Sequence, residues 1–366
     1  MRANQRQLVN AVLAGLRGRP VAAPSLTFAE FRIAGLATGL TALFGELFAG
    51  SVTLDELDPH TRRHLDEQCR QVRARVMRFL PVVPRVADAL WAADVPAVFV
   101  KGAELIDGVW EHPTARPMAD VDVVVPPHLR AQAAAALAAA SCPWWMSTSY
   151  EDAFLAWGDG GVGRLDGESA DHNGRIEVHP GWVEFIHGYE VRGFDVIGLA
   201  QQRDGHLHLP LAALTAQVLG HLGATVVRGE VRALNVVDVW YCHRRDVDWQ
   251  RVGSLMTTAD PRLSAPGLWI VDRLMPGVVP SEVVSLQMQR LPSSARRLLD
   301  ATEPHEVFRD PAARTTFRWR QGFAVHRRER VHIVDQMIWP DHRRTMRATV
   351  RRIAGRGRGR SSAGQS

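Results

Sequence analysis

The six residues Asp120-Val121-Asp122-Val123-Val124-Val125 constrain this chain more than any other stretch, because they form an apolar strand carrying two aspartates with one residue between them. Side chains alternate along a strand, so both carboxylates emerge on one face. Two ionised acids side by side repel each other and resist desolvation, which is costly in a strand otherwise suited to burial. A bound divalent cation removes that cost. Carboxylate oxygens suit Mg²⁺, or Mn²⁺ in its place, and Mg²⁺ commonly takes one or two carboxylates together with substrate phosphates.

The chain on either side supplies a setting for such an ion. Ala97-Val98-Phe99-Val100 reads as a short buried strand that stops at Lys101-Gly102, and Leu105, Ile106, Val109 and Trp110 give residues 103–110 a helical spacing. Gly102 therefore falls where a strand hands over to a helix, a place where backbone N–H groups can cradle phosphate. Lys101 is the single lysine among 44 Lys and Arg residues. Its compact ammonium reads either as a point-charge partner for phosphate or as a salt-bridge partner of Glu104 or Asp120. Further on, alternation in Arg175-Ile176-Glu177-Val178-His179 puts Glu177 and His179 on one face. Glu177 reads as a third acid that completes a metal site or draws a proton from an acceptor hydroxyl, or else as a solvated acid paired with Arg175. His179 reads as a group that orients the acceptor or a carboxylate, or as a packed histidine.

At 366 residues, 46% apolar and 23% charged, the chain has the balance of a globular protein with two or three cores. Its net charge of +5 suits anionic partners such as nucleotides or RNA, although much of the excess lies in the C-terminal tail. Cys69, Cys142 and Cys242 have no Cys-x-x-Cys spacing, so neither a zinc site nor a disulfide framework is indicated, and a cytoplasmic location fits. Arg17 and Arg19 directly follow the apolar positions of residues 8–16, which reads as an amphipathic helix and not a signal peptide. No stretch approaches about 18–20 uninterrupted apolar residues, so no membrane partner is expected.

Four regions follow from the patterning. Residues 1–92 read as helical over 5–16, 27–49 and 58–93, the last opened by an Asp58 cap and Pro59. Residues 93–208 hold the acidic strand, an alanine-rich helix to residue 140, and strands beginning at Trp144-Trp145 and at Ala153. The sequence GDGGVG at residues 158–163 lacks the Lys-Ser/Thr ending of a P-loop and reads as a hairpin turn. Residues 209–342 are helical again over 211–223, 232–243 and 246–257, with His221 and Asp238 on apolar helices. Each of these reads as satisfied within the helical region or as a substrate contact. Residues 343–366, rich in Arg, Gly and Ser, bury too little apolar surface to order themselves.

Lys101-Gly102-Ala103-Glu104-Leu105, Arg116 and the Asp120-Val121-Asp122 strand together resemble the nucleotidyltransferase superfamily, whose fold is that of DNA polymerase β. Within it they resemble a bacterial branch of uncharacterised nucleotidyltransferases, with KGxxL, an Arg and then D-h-D-h-h-V, where h is apolar. The Glu177 strand and the surroundings of His221 and Asp238 extend the resemblance over roughly residues 80–256, and Ala103 stands where the superfamily usually has Ser or Gly. The resemblance implies an α+β fold, a small mixed sheet with helices flanked by N- and C-terminal helical regions. It implies transfer of a nucleoside monophosphate from an NTP, ATP by first choice, to a hydroxyl of a small-molecule or peptide acceptor, with release of pyrophosphate. Asp120, Asp122 and Glu177 would be the catalytic and metal-binding acids. Lys101, Gly102, Ala103 and Arg116 would bind the nucleotide, and His179, His221 and Asp238 would meet the acceptor or support the acids. Two other readings stay open, an RNA-modifying transferase and a nucleotide-binding module without turnover.

Overall fold

The computed structural model describes residues 2–148, 151–156, 174–186, 189–203, 205–308, 317–326 and 329; the glycine-rich turn of residues 158–163 and the tail of residues 343–366 lie outside them. The described residues divide into two units, the first ending at Arg314 and the second beginning at Thr315.

Turn chemistry divides the N-terminal region into α1 (Arg2–Leu16), α2 (Phe28–Thr38), α3 (Thr41–Leu47), α4 (Val52–Asp55), α5 (Pro59–Phe79) and α6 (Val82–Ala92). Thr27 and Glu30 form a capping box at the start of α2, and Gly39 ends it at φ +73°, so the single helix expected over residues 27–49 is two. Asp58 caps α5 by accepting from the N–H groups of His60 and Thr61 at 2.9 and 3.1 Å, with Pro59 in the first turn. Pro81 then separates α5 from α6 within the helical segment expected over residues 58–93.

The central elements are β1 (Val98–Val100), α7 (Gly102–Ile106), β2 (Asp120–Val125), α8 (Arg130–Ala139), β3 (Trp144–Ser147), β4 (Asp152–Leu155), β5 (Arg175–Pro180), β6 (Val183–Ile186), β7 (Tyr189–Arg192), α9 (Val196–Leu199), β8 (Gln201–Arg203) and β9 (His206–His208). Seven strands make a mixed sheet in the order β3-β4-β5-β2-β1-β9-β8, and β6 and β7 form a separate hairpin. β2 runs parallel to β5 and antiparallel to β1. One face of the sheet presents Val121, Val123, Val125, Phe154, Ile176 and Val178 to Val86 and Leu90 of α6 and Ala133 and Leu137 of α8. Strand alternation therefore delivers Asp120, Asp122, Glu177 and His179 to the opposite face.

The helices that follow are α10 (Leu211–Arg228), α11 (Ala233–Arg244), α12 (Trp249–Thr258), α13 (Pro261–Leu274), α14 (Ser281–Arg290) and α15 (Ser293–Asp300). Among the described residues α10 alone is long and apolar enough to cross a membrane by length and composition, and most of it is buried inside the fold as a core helix. In the second unit, α16 (Phe317–Gly322) places Trp319 5.2 Å from the ring of Phe323.

Helices α10 and α13 touch backbone to backbone at Gly223 and Gly267, where an added Cβ would overlap the carbonyl oxygens of Leu263 and Leu219 respectively. Neither carbonyl can yield without moving its helix. Gly223→Ala is expected to lower stability by about 1–3 kcal/mol or more through overpacking; an unchanged urea midpoint would mean that the two helices separate freely.

Candidate active site

The parallel register of β2 on β5 sets Asp120 beside Arg175, Asp122 beside Glu177 and Val124 beside His179. Ligand atoms of Asp122, Glu177 and His179 consequently lie within 4.8 Å of one another. The Lys101 ammonium donates to Asp122 Oδ1 at 2.7 Å, and His179 Nε2 lies 2.9 Å from the same oxygen. Asp120, two residues back on the same face, stands outside that three-residue group but shares its field. Glu151, just before β4, also belongs to this field through the charges of His179, Lys101 and Asp122.

The charges are unevenly settled. Burial alone would raise the Asp122 carboxyl, but Lys101 and His179 outweigh it and hold that acid below the usual carboxylate range. Burial pushes Glu177 up to about 9, with Asp120, Asp122 and Glu151 adding repulsion. Burial and the neighbouring Asp122 raise Asp120 as well. Lys101 itself is disfavoured by burial, yet Asp122, Glu184 and Asp120 keep it charged and above the ordinary lysine value. Four acids thus face a cation supply that satisfies one of them fully. Carboxylate oxygens with one imidazole are a donor set that fits a divalent cation such as Mg²⁺ or Mn²⁺, and the raised Asp120 and Glu177 are the groups such an ion would compensate.

The turn after β1 is strained at an unexpected residue. Lys101, not Gly102, has the positive φ, +53°. A non-glycine residue held there costs on the order of 1–3 kcal/mol, and the ion pair with Asp122 holds it in place. Gly102 is needed for room: a Cβ on it would lie 2.5 Å from Nη1 of Arg116. Ala103 is buried beside it, at the second position of α7. Glu104 accepts from or shares a proton with His208 Nδ1 at 3.1 Å, so it is not the partner of Lys101.

Arg116 cannot swing aside for that Cβ. Its Nε and Nη2 donate to the two oxygens of Asp238 at 2.8 and 2.9 Å, and Trp110 Nε1 donates to Asp238 Oδ1 at 2.9 Å. Trp110 packs in turn on Tyr241, with ring centroids 4.5 Å apart. Asp238 on α11 therefore anchors the turn from below through a buried guanidinium. His221 on α10 reaches a different acid, Glu184 of β6, with Nδ1 2.8 Å from Oε1. Burial opposes the ionised Glu184, but His221, Lys101 and Arg228 outweigh it and bring its carboxyl down to about 2.

Structure brings together Lys101, Asp120, Asp122, Glu177 and His179, and sets Arg116 and Asp238 beneath Gly102. Sequence patterning gives no role to Glu151 or Glu184. Glu151 was legible through the same alternation, two residues before Ala153, which pairs with Glu177. Glu184 sits in Val183-Glu184-Phe185-Ile186, where the acid and Ile186 take the buried positions and Val183 and Phe185 the half-buried ones, so the apolar pattern does not show which face is covered.

A family model described as an uncharacterised nucleotidyltransferase matches residues 36–264, well over half of the chain. No curated protein and no solved structure matches it.

The raised Glu177 carboxyl gives a linkage that can be measured. An acid whose folded pKa exceeds its unfolded value weakens the fold progressively as pH rises from the ordinary value, 4.5, towards about 9. Glu177→Gln is therefore expected to have a higher Tm than the parent protein at pH 8 and an equal one near pH 4. Mg²⁺ or Mn²⁺ should raise the parent Tm more at pH 8 than at pH 6, and the variant's much less. Equal metal response in both proteins would remove Glu177 from the cation site. Asp238→Ala strips the acceptor from a buried guanidinium and should cost about 3–5 kcal/mol in urea unfolding; a loss below about 1 kcal/mol would show that the anchor is dispensable.

Proposed function

The chain belongs to the uncharacterised nucleotidyltransferase family, and from this we propose that it moves a nucleoside monophosphate from an NTP, ATP by first choice, to a hydroxyl of a small-molecule or peptide acceptor, releasing pyrophosphate. The observation that carries the reading is the juxtaposition of Asp122, Glu177 and His179 within 4.8 Å on one sheet face. Asp120, Asp122 and Glu177, with His179 alongside, would hold a divalent cation, Mg²⁺ or Mn²⁺, which when bound supplies charge neutralisation for the phosphates and the developing negative charge.

The remaining work falls to the chain's own groups. Lys101, held in its charged form by the surrounding acids, gives fixed positive charge on the side of Asp122 where β1 ends. The backbone N–H groups of Gly102 and Ala103 receive the β- and γ-phosphates, and the missing Cβ of Gly102 keeps that backbone seated on Arg116. Arg116 adds buried positive charge under the turn while Asp238 fixes its position. His221, tied to Glu184, fixes the β6 hairpin against α10 close to Lys101. The raised carboxyls of Asp120 and Glu177 fit a site that a cation completes; an active transferase and a module without turnover both need that site, and pyrophosphate release separates the two.

The test is pyrophosphate release from each of the four NTPs with Mg²⁺, in the presence of pooled small acceptors. Asp122→Asn is expected to lower the rate by on the order of 10²–10³-fold or more, with nucleotide binding retained. A variant as fast as the parent would refute the assignment. Nucleotide bound by the parent protein with no release from any pool would point to the module without turnover.

A further inference from the structure

In an in-line displacement at phosphorus, the attacking and leaving oxygens lie on opposite sides. The strand order gives those sides separate places. Lys101 and Gly102 lie on the β1 side of Asp122, while Glu177, Glu151 and the β3–β4 hairpin lie on the β5 side. Given the reading above, on which this inference rests, pyrophosphate leaves towards Lys101 and Gly102. The acceptor then approaches across β5 and β4.

That approach ends at a built feature. The pairing of β3 with β4 slips between Trp144 and Met146, so Trp145 occupies a bulge, a device that re-aims a side chain. The Trp145 ring lies over the Arg175 guanidinium, with 4.9 Å from its carbon to the ring centroid, yet the residue is 47% exposed. Arg175 in turn places Nη1 3.5 Å from Glu177 Oε1, and its buried Nε has no hydrogen-bond partner among the described residues. The hairpin is held from below by Arg130, which donates to both oxygens of Asp152 at 2.6 and 2.8 Å and to the carbonyls of Thr148 and Glu151 at 2.7 and 3.0 Å. An indole fixed beside the reacting acids, backed by a cation and open to solvent, is a stacking platform. Beyond Arg175 lie Glu177, 3.5 Å from Nη1, and Asp120, its partner in the β2–β5 register, so the one cation behind the ring is already shared with acids and offers little to a phosphate backbone.

We propose that Trp145, backed by Arg175, seats a flat aromatic ring of the acceptor, so that the acceptor is a small, non-polyanionic molecule bearing its reactive hydroxyl on or beside such a ring. The acceptor oxygen bonds to the α-phosphorus as the bond to pyrophosphate breaks, and the hydroxyl proton leaves to water.

The experiment measures pyrophosphate release from Mg·ATP in three arms: a pool of aromatic hydroxy compounds (nucleosides, phenols and hydroxyindoles), a pool of non-aromatic sugars and polyols, and bulk tRNA. Trp145→Ala and Trp145→Phe are compared with the parent, since an exposed side chain can be exchanged without unfolding the sheet. Stimulation by the aromatic pool is expected. The acceptor KM should rise about 5- to 100-fold in Trp145→Ala, as for loss of one stacked ring, and return most of the way in Trp145→Phe, with the separately measured affinity for Mg·ATP within twofold. Stimulation by tRNA or polyols alone, an unchanged acceptor KM in Trp145→Ala, or silence of the aromatic pool would each overturn the proposal. Activity that survives in Asp122→Asn would instead overturn the transferase reading itself.

Discussion

The crowding of acids on one face of the central sheet is the condition to which the rest of the molecule is fitted. It arises from the other face. Val121, Val123 and Val125 of β2 and Ile176 and Val178 of β5 are buried completely, each stabilising the fold by about 1.5–3 kcal/mol relative to exposure. Because strand side chains alternate, that burial carries Asp120, Asp122 and Glu177 to the same opposite face whatever their mutual repulsion. The apolar core thus holds together acids that would separate if the strands were free. A cation site made this way is pre-organised: core packing has already met the cost of bringing its ligands together.

Much of this was legible in the sequence because it depends on period-two alternation within single strands. The shared face of Asp120 and Asp122, and that of Glu177 and His179, followed from alternation alone. The mixed α+β fold with helices at both ends matches the patterning too. What could not be read was the register between strands, which decides that Asp122 rather than Asp120 lies opposite Glu177. The hairpins β6–β7 and β8–β9 escaped the patterning because β7 (Tyr189-Glu190-Val191-Arg192), β8 (Gln201-Gln202-Arg203) and β9 (His206-Leu207-His208) are mostly polar, and β6 places an acid on its buried face. The helix breaks at Gly39 and Pro81 were written in the residues, but the apolar spacing on either side runs through them.

Long-range ion pairs are the second limit. Arg116 and Asp238 are 122 residues apart and meet with neither partner exposed. In the sequence Arg116 is one arginine among many, close enough to the acidic strand to suggest direct contact with phosphate. Its bidentate bond to Asp238 changes the physical meaning of the glycine before it. Gly102 is required by the guanidinium beneath it rather than by a left-handed backbone, which falls on Lys101. The helical region and the strand region therefore share one buried electrostatic contact at the turn, and any shift of α11 is transmitted to the backbone that would face the phosphates.

The lone lysine follows from the same geometry. Every other residue among the 44 Lys and Arg is arginine, yet the position facing Asp122 is not. An ammonium is a compact point charge, and here it takes one oxygen, Oδ1, which it shares with His179. Both of these contacts fall on the one oxygen. A guanidinium prefers to engage both oxygens of a carboxylate at once, as Arg116 does with Asp238 and Arg130 with Asp152. Arginine at 101 would close Asp122 into a structural pair of that kind, whereas lysine keeps the acid ionised while leaving an oxygen for a cation. The strained backbone of Lys101 is consistent with this account, since its cost is tolerated where one particular charge is needed at one particular distance.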